Sequence, residues 1–248
     1  GKDIGTIARL FPSYPEYPEL ISFTWFGWVG VQIFFVISGL VITMSAEKSS
    51  GLQFLRSRFL RIYPVAWISA TISLIVIMIS ASQHINSLVL LRYLNTLILS
   101  PYPGWIDGVY WTLVLELVFY GSVFLIIATG RSENLIGFSI ALGCASTFYI
   151  AGLASGFLSG GWLFTIMLLR HGVFFSIGML IWGLGRMRDS VQWRNLAFLI
   201  LFTVMGMVEI LHTATTKLEA LNLAAPLYPP VVAWLVMLCC ILSSAIWP

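Results

Sequence analysis

Seven apolar stretches, each long enough at roughly 20 residues to cross a bilayer, take up most of this chain. They run at about 22–46, 62–82, 109–129, 134–157, 166–185, 195–213 and 230–247. In hydrocarbon every backbone amide and carbonyl must be paired within the structure, and a helix does this without help from its neighbours. The chain is therefore expected to fold as an all-α integral membrane protein, a polytopic helical bundle of about seven transmembrane helices. The stretch 88–100 is apolar but interrupted by Arg92 and Asn95, so it reads as an interfacial or re-entrant helix. Composition agrees: 59% of residues are hydrophobic and 9% charged, with mean hydropathy +0.94, where a soluble domain carries about 25% charged residues.

The charges between these stretches give the chain a sidedness. Lys48, Arg56, Arg58 and Arg61 follow the first stretch, Arg131 the third, and Arg186, Arg188 and Arg194 the fifth. The alternate connections hold only Arg92 and Lys217, with Arg170 at a span end. By the positive-inside rule the odd-numbered exits are cytoplasmic and residues 1–20 lie outside. The chain starts at Gly1, and no basic, apolar and small-residue signal pattern precedes the first stretch. One membrane domain over 1–248, cut from a longer protein, is the expectation. A net charge of +3, held in short clusters between apolar runs, gives nucleic-acid binding little support. Cys144, Cys239 and Cys240 lie in apolar runs without His, Asp or Glu at metal-ligand spacing, so neither a disulfide nor a metal is expected.

An ionisable side chain at the centre of a membrane helix costs at least about 2.5–3.5 kcal/mol, so each one needs a partner, a wet cavity or a function. Glu116 is such a residue, and at helical spacing Thr112, Glu116 and Tyr120 share one face. This stripe is either the wall of a functional cavity or an interhelical latch with a protonated Glu. Arg58 and Arg61 are one turn apart and, if helical, point the same way, with Arg56 and Lys48 nearby. Two guanidinium forks suit the phosphates of a coenzyme or nucleotide, although basic residues here also serve topology. Ser38-Gly39 places a small residue within the first span, which suits close helix contact. His171 sits near a span end, where it could relay protons, and Glu209 is one turn from His212 and could pair with it; His84 has no distinguishing neighbours. Outside, Pro103-Gly104-Trp105-Ile106-Asp107-Gly108 joins an aromatic plate to a carboxylate, fit for a sugar ring or for an interfacial anchor.

At these positions the sequence resembles the integral-membrane acyltransferase family 3. Phe34 to Gly39 is similar to that family's FFxxSG element, Arg58-x-x-Arg61 to its RxxR donor motif, and Trp111-Thr112 through Glu116 to Tyr120 to its W-S/T-x-x-x-E-x-x-F/Y segment. Arg170 with Phe174-Phe175 and Gly178-Met179 makes a fourth match. The resemblance implies transfer of an acyl group, expected to be acetyl, from cytoplasmic acyl-CoA (acetyl-CoA) to a hydroxyl of an exopolysaccharide, lipopolysaccharide or related cell-envelope sugar. It further implies a multi-pass protein of the bacterial inner membrane. Its partners would be the lipid bilayer, a glycan or lipid-linked sugar acceptor, and other biosynthetic membrane proteins.

In that reading Arg58 and Arg61, with Arg56 and Ser38, take the donor. Glu116, Thr112 and Tyr120 serve the chemistry, with the hydroxyls of Ser38, Thr112 and Tyr120 as oxyanion donors. Trp111, Trp105 and Asp107 meet the acceptor. The family's pattern also has a first membrane helix with a basic residue and then a histidine regarded as catalytic. Nothing upstream of Phe34 supplies either, so residues 1–248 alone are expected to lack the base, a contribution of typically about 10²–10⁴-fold. The competing class, a transporter or flippase of a lipid-linked sugar, would want the polar stripe and outer aromatics but not the donor arginines. The sidedness is checked by cysteine labelling from outside, which is expected to modify a probe near Asp107 and spare one near Ser57; the reverse pattern defeats it.

Overall fold

The computed structural model describes residues 24–47, 49–80, 87–186 and 193–246. The N-terminal segment 1–20, Lys48, His84 and Arg188 lie outside them. Nine α-helices follow one another among the described residues: α1 Val29–Glu47, α2 Gly51–Ser80, α3 Ser87–Leu97, α4 Trp111–Ala128, α5 Leu135–Ala154, α6 Trp162–Ile166, α7 Gly172–Arg186, α8 Trp193–Leu221 and α9 Tyr228–Ile246. Five of the apolar helices, α1, α2, α4, α5 and α8, are long enough to cross a membrane, and the apolar parts of α7 and α9 are shorter. The outward faces are greasy: Val65, Ile68, Ile72 and Ile79 on α2 are exposed hydrophobics, as a lipid-facing surface requires.

Two features differ from the sequence expectation. The span drawn at 62–82 is the second part of one 30-residue helix, so Arg56, Arg58 and Arg61 ride on its first turns and not in a loop. Pro64 lies inside that helix and has no amide to give the carbonyl one turn back, yet the helix continues through it to Ser80. Similarly, α8 continues to Leu221 past the drawn end at 213, which puts Lys217 on a helix. Glu209, Thr213 and Lys217 recur every four residues and keep one polar face running along that extension. The stretch 88–100 yields α3, 11 residues long and too short to span, held on α2 by Trp67 Nε1 to the Leu97 carbonyl (2.9 Å) and by Thr71 with Tyr93 (3.0 Å).

The centre is α7. Val173, Phe174, Phe175, Ile177, Met179, Leu180 and Ile181 are all buried, because α1, α5, α8 and α9 pack around it. A helix enclosed by other helices meets no lipid, so bilayer thickness does not set its length. Its tightest neighbour is α1, and two glycines explain why. A Cβ on Gly39 would run into the Phe175 backbone carbonyl, and one on Gly178 into the Val36 carbonyl and Leu40 amide. These obstacles are main chain, which cannot swing aside as a side-chain tip can.

Before α7 the chain must turn sharply. Leu168 does this in a left-handed conformation (φ 62°), with its amide donating to the Thr165 carbonyl and the Leu169 amide to that of Phe164. This is a Schellman cap, normally given to glycine. The leucine is kept there by its burial, and the turn delivers His171 to the bundle interior and Arg170, partly exposed, to Glu209 of α8.

Gly39→Val and Gly178→Val are each expected to abolish a monodisperse folded peak in detergent size-exclusion chromatography. Gly121→Ala, in α4 with open space around its Cα, is expected to leave the peak and melting temperature near wild type. A well-folded Gly39→Val protein would refute the backbone contact.

Candidate active site

Three helices meet at Glu116. On α4, Glu116 and Tyr120 are one turn apart, so the Tyr120 hydroxyl reaches back and donates to Glu116 Oε1. From α1, Ser38 donates to the same oxygen at 3.2 Å. Both donors converge on Oε1, and among the described residues no hydrogen bond uses Oε2. The polar stripe of Thr112, Glu116 and Tyr120 thus forms as expected, though its hydroxyls already give their protons away: Thr112 Oγ1 donates to the Val109 carbonyl at 3.0 Å.

Arg58 approaches from α2. The helix buries Phe54, Arg58, Ile62, Ala66 and Ala70 along one stripe, so Arg58 points into the seam with α1 and α4. Its Nη2 donates to Ser45 of α1, and its guanidinium lies over the rings of Phe54 (5.4 Å) and Tyr120 (5.8 Å). Arg61 is three residues on, about 60° around the helix from Arg58, and is exposed. The two therefore share a face of α2 but differ in burial, Arg58 within the seam and Arg61 at its exposed edge. Arg61 lines a cavity of about 330 Å³ with Glu116, Thr112, Tyr110, Ser69 and Phe34. Arg56 is exposed on the same helix.

A second cavity, of about 350 Å³, lies on the other side of the start of α4, where Trp111, Arg170, His171 and Glu209 contribute to its wall. The Trp111 ring packs against Phe35 (6.0 Å) and His171 (5.3 Å). Glu209 does not pair with His212 as its spacing suggested. Its partner is Arg170, whose Nε donates to Glu209 Oε1 at 3.2 Å, with Thr213 bound to both. A guanidinium arriving from the turn before α7 reaches a buried carboxylate on α8, whereas His212 lies farther around that helix.

Neither of these two cavities is lined by Trp105 or Asp107. Trp105 is buried, with Nε1 donating to the Ser100 carbonyl (3.0 Å) and its ring edge-on to Trp162, while Asp107 accepts from the Val109 amide (3.3 Å) and caps the turn into α4. Ser45, Phe54, Thr213 and the Arg170–Glu209 pair were not singled out from sequence. The four-residue spacing of Glu209, Thr213 and Lys217 was the available signal for the last of these.

Five helices long and apolar enough to cross a bilayer, around a buried carboxylate that borders a cavity with Arg61, mark a multi-pass membrane protein. The chain matches the acyltransferase family 3 model, described as an acyltransferase domain, over residues 7–248. It belongs to that family and is an acyltransferase. No curated protein and no solved structure matches it.

Because Arg58 Nε has no partner among the described residues, the Ser45 bond carries much of what satisfies this buried guanidinium. Ser45→Ala is expected to lower stability by about 1–3 kcal/mol, read as a lower melting temperature in detergent. An unchanged melting temperature would mean that the bond is not formed.

Proposed function

We propose that this acyltransferase moves an acyl group, most simply acetyl, from acyl-CoA to a hydroxyl of a cell-envelope glycan in the bacterial inner membrane. In this reaction the thioester C–S bond breaks, an ester C–O bond forms, and the hydroxyl proton leaves with the coenzyme as thiol. Arg61, with Arg56 on the same exposed side of α2, takes the donor's phosphates, and the thioester arm enters the cavity between α1, α2 and α4. Arg58 acts indirectly: braced by Ser45, Phe54 and Tyr120, it holds the wall on which Tyr120 positions Glu116. Glu116 Oε2 accepts a hydrogen bond from the acceptor hydroxyl and orients it toward the thioester.

The observation that carries this reading is the position of Glu116: fixed through Oε1 by two hydroxyls, and forming the wall of the cavity that also holds Arg61. A guanidinium–phosphate bond is worth about 1.5–3 kcal/mol, or roughly ten- to hundredfold in affinity. In the full-length protein assayed in membranes with acetyl-CoA and an envelope glycan, Arg61→Ala is expected to raise KM for the donor by about that factor with little change in kcat. Glu116→Gln keeps size and most hydrogen bonding but cannot hold a charge, and it is expected to abolish transfer while leaving expression and melting temperature near normal. A fully active Glu116→Gln variant would reduce Glu116 to an interhelical latch and defeat the assignment.

A further inference from the structure

Acyl transfer needs a hydrogen-bond donor for the oxygen that gathers charge when a thioester carbonyl is attacked, and the first cavity restricts which group can serve. Ser38 and Tyr120 already donate to Glu116 Oε1, and Thr112 to the Val109 carbonyl, so the three hydroxyls expected from sequence are committed elsewhere. Two further hydroxyls line this cavity, those of Tyr110 and Ser69, and neither has a hydrogen-bond partner among the described residues. Tyr110 is buried as a residue, at 4% exposure, but its oxygen is open to water, unlike the sealed Nδ1 of His171.

Helix pairing places the two hydroxyls. Gly51 of α2 abuts Phe124 and Ala128 of α4, while Phe54 and Arg58 meet Tyr120. The two helices are therefore antiparallel, and the cavity follows their seam with Arg61 and Glu116 at one end and Ser69 and Tyr110 at the other. Tyr110 precedes Glu116 by six residues, about 9 Å along the axis, room for one reacting carbonyl with a hydrogen bond on either side. Ser69 lies within α2 and can turn its hydroxyl onto the carbonyl one turn back, as helical serines do. A phenol at the end of a rigid ring cannot reach its own backbone, so Tyr110 has its proton free for what enters the cavity.

We infer that Tyr110 is a catalytic residue, the hydrogen-bond donor to the thioester oxygen, an assignment that rests on the acyl-transfer reading above. The acceptor oxygen attacks the carbonyl carbon, a C–O bond forms, and the carbonyl π pair moves onto the oxygen held by Tyr110. When that pair returns, the C–S bond breaks and the hydroxyl proton leaves on the sulfur as thiol. The phenol retains its own proton throughout, because its part is to stabilise charge from a ring already fixed by burial.

The test is kinetic, on the full-length protein in membranes with acetyl-CoA and an envelope glycan. Tyr110→Phe removes one oxygen and leaves the buried ring. It is expected to lower kcat by about 10²-fold, with KM for acetyl-CoA, Kd for coenzyme A and melting temperature near wild type. Ser69→Ala is expected to retain wild-type kcat. A residue that only packs would give a silent Tyr110→Phe, so wild-type kcat in that variant overturns the assignment. So does an effect confined to KM, or a loss that appears in Ser69→Ala instead. A lost melting transition in Tyr110→Phe also overturns it, since the hydroxyl would then be bonded within the fold. In each of these cases transfer by the wild type leaves the proposed function standing. A wild type that transfers nothing from acetyl-CoA or a longer acyl-CoA removes that function, and this assignment with it.

Discussion

The contact of two backbones, α1 at Gly39 and α7 at Gly178, sets the positions of everything around Glu116. In a bilayer, lipid tails are as apolar as the helix faces, so helices gain from meeting only through close packing and satisfied polar groups. Glycines supply the first by letting main chain approach main chain over several residues. Once α1 lies along α7, the Phe35 ring packs at a tilt on Phe175 (4.7 Å), and Phe175 in turn stacks on Phe119 of α4 (4.3 Å). That stack fixes the rotation of α4 relative to α1. Ser38 is adjacent to Gly39 and so faces about 100° away from it, toward α4, where it meets Glu116. Packing on one side of α1 thereby places a hydrogen bond on the other.

Much of this was legible from residue order alone. The apolar runs gave the helical class, the interruptions at Arg92 and Asn95 marked the short α3, and the four-residue spacing of Glu116 and Tyr120 put them on one face, though not the bond between them. Gly39 was read as a packing residue, and it is one. What the sequence hid was rotation and continuation. Arg58 and Arg61 look equivalent in a motif, but which side of α2 is buried depends on where α1 and α4 stand. Likewise Glu209 has a nearby His212 in the chain, while its partner, Arg170, is 39 residues away and arrives by a capped turn. Pairings across helices depend on which helix neighbours which, and periodicity within one segment carries none of that information.

Helix length was also only partly legible. Hydropathy places a boundary where charges appear, yet α2 and α8 run through theirs. Both carry their charged turns at an end of the apolar part, where long side chains reach polar surroundings or partners at small cost. The helical hydrogen bonds continue because nothing stops them: the first turns of α2 contain no proline or glycine between Leu52 and Tyr63.

The distinction between a latch and a working carboxylate turns on how the two oxygens of Glu116 are used. A latch is most stable when both oxygens are bonded and the site is dry, because in hydrocarbon each unpaired polar atom is costly. Here Ser38 and Tyr120 both donate to Oε1, although either oxygen is within reach of a side chain's rotation. Doubling the donors on one atom leaves the other idle, a poor arrangement for adhesion alone. It is a good arrangement for holding a carboxylate in one orientation while presenting an oxygen to a cavity that also contains Arg61. Arg58 reinforces the same geometry from behind, since its guanidinium over the Tyr120 ring restrains the hydroxyl that fixes Oε1. The cost of burying four polar side chains, Ser38, Arg58, Glu116 and Tyr120, is thus directed to one result, a carboxylate held in a single orientation at the cavity wall.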